Sequence, residues 1–279
     1  MGCLNSTGHF DHWFGNIHLS GPCNRKCYFC IGQHMMALDP LNTLDKWPLP
    51  GIDNFVDKCL DKGVKEINVT GTNTDPLLYR HYDKLFDYLE QRMPDGWTFG
   101  LRTNGISPPG HGDMNLFDKA SLTICSLNPE INRIMMGGDP PNLARWYNDF
   151  EDDLKVNIVL GVENVDDGDV FRTIAAVGSY GVKRVNLREP YGQPHVGNPI
   201  KFSPTGYVYD MPTFDFGNIE VCYWDVHYCA VESVNLYASG RVSVDYPITR
   251  GHHPLGEVLD QGHFKHGRQR EQWLETAEV

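Results

Sequence analysis

Gly21-Pro22-Cys23-Asn24-Arg25-Lys26-Cys27-Tyr28-Phe29-Cys30 sets three cysteines in one short loop, with three residues and then two between them. Thiolates at this spacing converge on one metal ion or one cluster. The count is informative. A closed structural zinc site takes four protein ligands, whereas three leave one coordination position open. In a [4Fe–4S] cluster, three cysteines leave one iron with a free site for a small chelating molecule. From the residues alone two readings stand: zinc with a fourth ligand from elsewhere, or an open cluster.

The loop follows a strand-like run, Trp13-Phe14-Gly15-Asn16-Ile17-His18-Leu19-Ser20. Cys-x3-Cys-x2-Cys with an aromatic, Phe29, before the last cysteine resembles the signature of the radical S-adenosylmethionine (SAM) superfamily. The resemblance implies that Cys23, Cys27 and Cys30 hold the cluster and that SAM chelates the free iron through its amino and carboxylate groups. It implies reductive cleavage of SAM to methionine and a 5′-deoxyadenosyl radical, which takes hydrogen from the substrate. The cofactor then carries the difficult chemistry, and the protein orients it and excludes side reactions. A reductant such as flavodoxin or ferredoxin and oxygen sensitivity belong to the same expectation. The rivals are a non-enzymatic zinc-binding module and a ferredoxin-like carrier; the carrier needs a fourth cysteine ligand.

Beyond the loop, Gln33 to Leu38 reads as a short helix and residues 40–51 as a Pro- and Gly-rich connector. A rhythm then sets in. Asp53 is expected to cap a helix carrying Val56, Cys59 and Leu60, and Glu66 to Thr70 reads as a strand. Residues 79–93 show helical spacing; 97–102 and 121–126 read as strands, 129–136 and 141–152 as helices. Lys155 to Gly161 and Val182 to Leu187 are strands around a helix over 169–180. Alternation of this kind implies parallel strands with crossover helices, but does not separate a doubly wound sheet from a barrel. The resemblance implies α/β architecture with a partial (β/α)6 TIM-like barrel over residues 13–190. Residues 191–279 are expected to form a small β-rich extension covering the barrel opening. It begins with an irregular link around Gly192, Pro194, Gly197, Pro199, Pro204 and Gly206. Strands follow at 219–224 and 231–237, with Ala238-Ser239-Gly240 as a hairpin turn and a return over 241–246. A partly helical stretch lies at about 257–275.

In such folds ligands bind at the carboxyl ends of the strands. Gly71-Thr72-Asn73-Thr74-Asp75-Pro76 leaves the second strand where the family carries Gly-Gly-Glu-Pro, which contacts the SAM amino group. Here Thr72 replaces the second glycine and two further residues precede Asp-Pro. Gly71, Thr72 and Asn73 are therefore SAM-contact candidates, with Asp75 as a plain turn cap the alternative. Thr103-Asn104-Gly105 resembles the Thr-Asn-Gly that ends the third strand, which adds Asn104. Ser126 stands where a hydroxyl meets SAM. Arg188, closing the sixth strand, suits a SAM carboxylate or a substrate anion.

Five cysteines remain, of which Cys59 reads as packing. Cys125, Cys222 and Cys229 are candidate hydrogen-atom donors of the kind radical epimerases use. Cys222 and Cys229 do not suggest a second cluster, since their odd separation points them apart on one strand. Tyr223, Trp224, Asp225, His227 and Tyr228, with Arg250, His252 and His253, mix aromatic and polar groups as pocket walls do. Glu189 and Asp225 are candidates for proton handling. The expected substrate is a small organic or nucleotide-type molecule; a peptide substrate, as for an epimerase, is the alternative.

The 279 residues, 41% hydrophobic and 22% charged, suit a globular domain with a sizeable core. A net charge of −12 argues against extended nucleic acid as a partner. No apolar run is long enough to cross a bilayer. The eight cysteines read as reduced thiols, and a cytoplasmic location is expected. Met1-Gly2-Cys3-Leu4-Asn5-Ser6 fits a myristoylation pattern and Asn5-Ser6-Thr7 a glycosylation sequon, both read as accidental.

Overall fold

The computed structural model describes residues 13–32, 41–106, 113–190, 195–208, 211–225 and 232–244. The helix expected at 33–38, Cys229, His227, Tyr228, Arg250, His252, His253, the N-terminal motifs and the stretch 257–275 lie outside the described residues.

Six strands alternate with helices as the periodicity predicts. They are β1 (Phe14–Leu19), β2 (Glu66–Gly71), β3 (Thr98–Thr103), β4 (Lys119–Ile124), β5 (Leu154–Val159) and β6 (Arg184–Arg188). Between them run α1 (Ile52–Asp61), α2 (Tyr82–Arg92), α3 (Pro129–Met136), α4 (Leu143–Phe150), α5 (Val162–Val165) and α6 (Asp169–Ser179). Gly51, in the left-handed conformation at φ 72°, occupies the N-cap of α1, so Asp53 falls in the first turn instead of capping. Its carboxylate still meets the positive end of the helix dipole there. Asp75 caps a short 3-10 turn, Pro76–Leu78, that leads into α2.

Strands β1 to β6 pair in parallel and in chain order. A doubly wound sheet reverses its strand order and buries both faces. Here the order never reverses, and only one face is apolar. Ile17, Leu19, Ile67, Val69, Phe99, Leu101, Leu122, Ile124, Val156, Ile158, Val185 and Leu187 join one core with the helices. The alternate positions carry Asn16, His18, Asn68, Arg102, Ser121, Lys155, Asn157, Asn186 and Arg188. One-sided winding with a polar inner face is the partial (β/α)6 arrangement.

After β6 the chain keeps building the same sheet. Strands β7 (Gly206–Val208), β8 (Met211–Phe216), β9 (Ile219–Trp224), β10 (Ser233–Leu236) and β11 (Val242–Ser243) give, among the described residues, an eleven-stranded order, β11-β10-β1-β2-β3-β4-β5-β6-β9-β8-β7. No strand is expected between Gly206, where the link ends, and residue 219; β7 and β8 lie there, paired antiparallel. The described part of 191–279 extends the sheet at both edges: β9 adds parallel to β6 and β10 parallel to β1. The β10–β11 hairpin is antiparallel, as its turn residues predict.

Candidate active site

The cysteine loop leaves β1 and is fixed on three sides. Below it, the backbone N–H groups of Lys26 and Tyr28 donate to the last carbonyls of α3, Met136 (3.2 Å) and Met135 (3.3 Å). The Arg25 guanidinium donates to the Asp139 carbonyl just beyond. Helix α3 ends at Gly137, left-handed at φ 74°, and a Cβ on Gly138 would lie 1.6 Å from the Arg25 guanidinium. The helix thus ends without side chains where the loop must sit. On a second side, the Tyr28 hydroxyl donates to Glu163 at 3.0 Å. On the third, Thr74 Oγ1 donates to the Pro22 carbonyl (2.7 Å), and Gly32 packs on Thr72 and Asn73.

The β2 and β3 ends are locked to this loop. Asn73 Oδ1 accepts from Ser20 Oγ (2.7 Å), Gly21 N (3.1 Å) and Thr72 Oγ1 (3.2 Å), while Thr72 Oγ1 also reaches the Leu19 carbonyl (3.1 Å). Asn104 Nδ2 donates to Asn24 Oδ1 (2.8 Å) and approaches Cys23 Sγ at 4.0 Å; Asn24 Nδ2 donates to the Ile106 carbonyl (2.8 Å). Asp75, 2% exposed, accepts from Thr103 Oγ1 (2.8 and 2.9 Å), Asn104 N (2.7 Å) and Leu77 N (3.0 Å). The fully buried Ser126 hydroxyl accepts from Asn128 N at 2.8 Å. Gly71, Thr72, Asn73, Asn104, Ser126 and Phe29 are therefore gathered around the loop, but much of their polar capacity is used in building it. Asn24, Asn132 and Asn164 escaped the sequence reading. Each spends its side chain on backbone or loop partners, and isolated asparagines give no periodic signal.

The donor set suits a multi-iron group. Burial, then Cys30 and Cys23, pushes the Cys27 thiol up to about 12. Three thiolates here need a cationic centre to stay ionised. The charge of Cys30 reaches both Cys23 and Cys27, so the three thiols share one site, and a cluster gives each thiolate its own iron.

The candidate donor thiols differ in placement. Cys125 is sealed beneath the loop with Cys27, Tyr28 and Phe29, and burial holds its thiol well above the ordinary value. Cys222 lies on the inner face of β9, opposite Asn186, near Lys155 and Arg188. Burial pushes it up to about 12, so it carries its proton. Arg188 stands at the end of β6 with its guanidinium 5.7 Å from the Trp224 ring. Behind that rim, buried Glu189 accepts from Tyr223 Oη (2.8 Å), Val196 N (3.0 Å) and Gly197 N (2.7 Å). His195 Nε2 lies 3.1 Å from buried Asp225, and that hydrogen bond raises the His195 pKa. Both carboxylates carry a sequence signal; His195, which lies between them, comes from an irregular segment with no periodicity to mark it.

No family model matches the chain. Over 156 residues it is 27% identical to GTP 3′,8-cyclase of Helicobacter pylori (strain J99), a match covering 53% of this chain. The chain spans less than half of that relative's length, 45%. Streptococcus suis SuiB bound to S-adenosylmethionine superposes with a TM-score of 0.50 at 16% identity, over 67% of this chain and 43% of SuiB. That likeness is one of fold. Coproporphyrinogen III oxidase (HemN) of Escherichia coli, a radical SAM enzyme, superposes with a TM-score of 0.43 at 12% identity, over 66% of this chain and 46% of its own.

Proposed function

We infer that this chain is a radical SAM enzyme, with Cys23, Cys27 and Cys30 as ligands of one [4Fe–4S] cluster and SAM as the molecule at the remaining iron. The observation that carries this is the seating of a three-thiol loop at the carboxyl mouth of a singly wound parallel sheet. When bound, the reduced cluster supplies cleavage of SAM and a 5′-deoxyadenosyl radical that removes hydrogen from the substrate. The protein's part is positional. Phe29 and Tyr28 pack with Cys27 over the buried Ile131, Met135 and Met136 layer, which keeps water from beneath the loop. Gly71 has no Cβ where the Thr74 carbonyl folds back on the end of β2, so it permits the tight turn that carries Thr72 and Asn73, and Asn104 borders Cys23. Thr72, Asn73 and Ser126 hold the rim to which SAM binds, and Arg188 offers a bidentate fork to an anion.

The substrate is a small organic or nucleotide-type molecule on the inner face of the sheet, and the electron donor is a flavodoxin or ferredoxin. No described helix is long and apolar enough to cross a membrane, and an oxygen-sensitive cluster fits a reducing, cytoplasmic setting. Residues 13–190 form the catalytic core, and the described strands of 191–279 extend its sheet. Anaerobic reconstitution tests the reading. The expected result is about four irons per chain, brown absorption, and 5′-deoxyadenosine from SAM under reductant, all lost in C23A, C27A and C30A. A colourless protein with one tight zinc overturns it.

A second reading concerns the fate of the substrate radical. Cys222, protonated and on the inner face, is placed to return a hydrogen atom, which would make the reaction an epimerisation, on a peptide or a smaller substrate. Turnover in deuterated solvent then leaves one deuteron in the product, and C222A abolishes its incorporation.

A further inference from the structure

Among the described residues, the inner face holds three cations that form no salt bridge, with Glu66 the acid whose charge reaches Arg102 and Lys155. Arg102 of β3 and Lys155 of β5 both flank Ser121 in register, which sets them two strands, about 10 Å, apart. Arg188 closes β6 four residues beyond Arg184, the register partner of Lys155, and its charge reaches the Lys155 ammonium. Among the described residues none of the three side chains makes a hydrogen bond or ion pair. Arg102 and Arg188 lie over the rings of Phe14 and Trp224 at 5.5 and 5.7 Å, which leaves their N–H edges available. The acid nearby is engaged: Glu66 is held by Lys119 at 2.6 Å and by Asn68 at 2.8 Å. Burial, then Arg102, Arg188 and Arg184, lowers the Lys155 ammonium to about 8, with Glu66 opposing. Unpaired charge in so restricted a space is costly unless a ligand neutralises it.

We propose that Arg102, Lys155 and Arg188 together bind a phosphate-ester or pyrophosphate group of the substrate. One carboxylate would neutralise one of three charges, whereas a phosphate or pyrophosphate brings two or more negative charges and several acceptor oxygens. SAM is a poor candidate for the whole set. Val159, not Lys155, stands beside Arg188, and Lys155 is four residues, about 13 Å, back along β5 from the mouth. That the bound molecule is a substrate rests on the radical SAM reading; that the site binds the anion does not.

The test is calorimetry of the full chain with pyrophosphate, with and without cluster, alongside K155M, R102M and K155R. Pyrophosphate is expected to bind about 10- to 100-fold more weakly to K155M and R102M, with K155R nearly unchanged. In the native chain carrying 13C-methylated lysines, the Lys155 signal, assigned by its loss in K155R, should titrate at higher pH once pyrophosphate is added. This measurement stands even if K155M does not fold. Equal affinity in all variants, no binding by the native chain, tighter binding of succinate, or displacement of pyrophosphate by SAM each overturns the proposal. Failure of SAM cleavage with pyrophosphate binding intact sinks only the enzymatic reading.

Discussion

Asp75 ties two loops of the mouth together with one carboxylate. It receives Thr103 and Asn104 from the β3 end and Leu77 from its own turn. D75A leaves those donors unpaired in a dry place, which costs about 2–3 kcal/mol in denaturant unfolding; D75N keeps one acceptor and costs about 1. Burial raises the carboxyl to about 6 against these hydrogen bonds. The folded value lies above the unfolded one, so ionisation opposes folding. The contribution from this group is full below about pH 4 and falls by about 3 kcal/mol as pH rises through 6. The slope between pH 4 and 6 should flatten in D75N. His195 is the other titrating group of the rim, raised by its bond to Asp225. Its stabilisation is full below the ordinary histidine value and is lost as pH rises through the folded one. By NMR, the His195 titration should move to lower pH in D225N.

At the scale of elements, the cysteine loop depends on what it rests against. A Cβ on Gly32 would come within 2.2 Å of the Thr72 carbonyl and 2.4 Å of Asn73 Cα, backbone that cannot step aside. G32A should fold with unchanged far-UV circular dichroism yet load less than about half the native iron on reconstitution, because the clash moves the loop and not the core. Normal iron uptake would show that the contact is dispensable. This loop was readable in advance because ligand spacing is local. The β1–β6 rhythm was readable because apolar period reports which face is buried; α3 fell on Pro129–Met136 as expected. Strands β7 and β8 hid behind Gly206 and Pro212. Pro212 lies outside the β8–β9 register, facing only the short outer strand, where a missing N–H is tolerated. Arg102, Lys155 and Arg188 were harder still. Register across β4 brings Arg102 and Lys155 into one row, and only Arg188, farther along β6, sits at a strand end that marks it.

At the scale of the whole molecule, the added strands extend both edges of the core sheet. Asn235 of β10 accepts from Asn16 (2.9 Å) and contacts His18 (3.1 Å), both on β1. β9 covers the other flank of β6. A chain cut after residue 200 should therefore aggregate or lack near-UV circular dichroism, since it exposes two strand edges and unpaired buried amides. A soluble, cooperatively unfolding fragment would instead mark residue 190 as a true domain boundary. The Asn16–Asn235 pairing spans 219 positions. β1 leaves the ribosome well before its partner β10, so completing that edge of the sheet is a late and comparatively slow event. Until β10 emerges the β1 edge stays unpaired and open to wrong partners, so codon or temperature changes that stretch that wait should lower yield without altering the finished molecule.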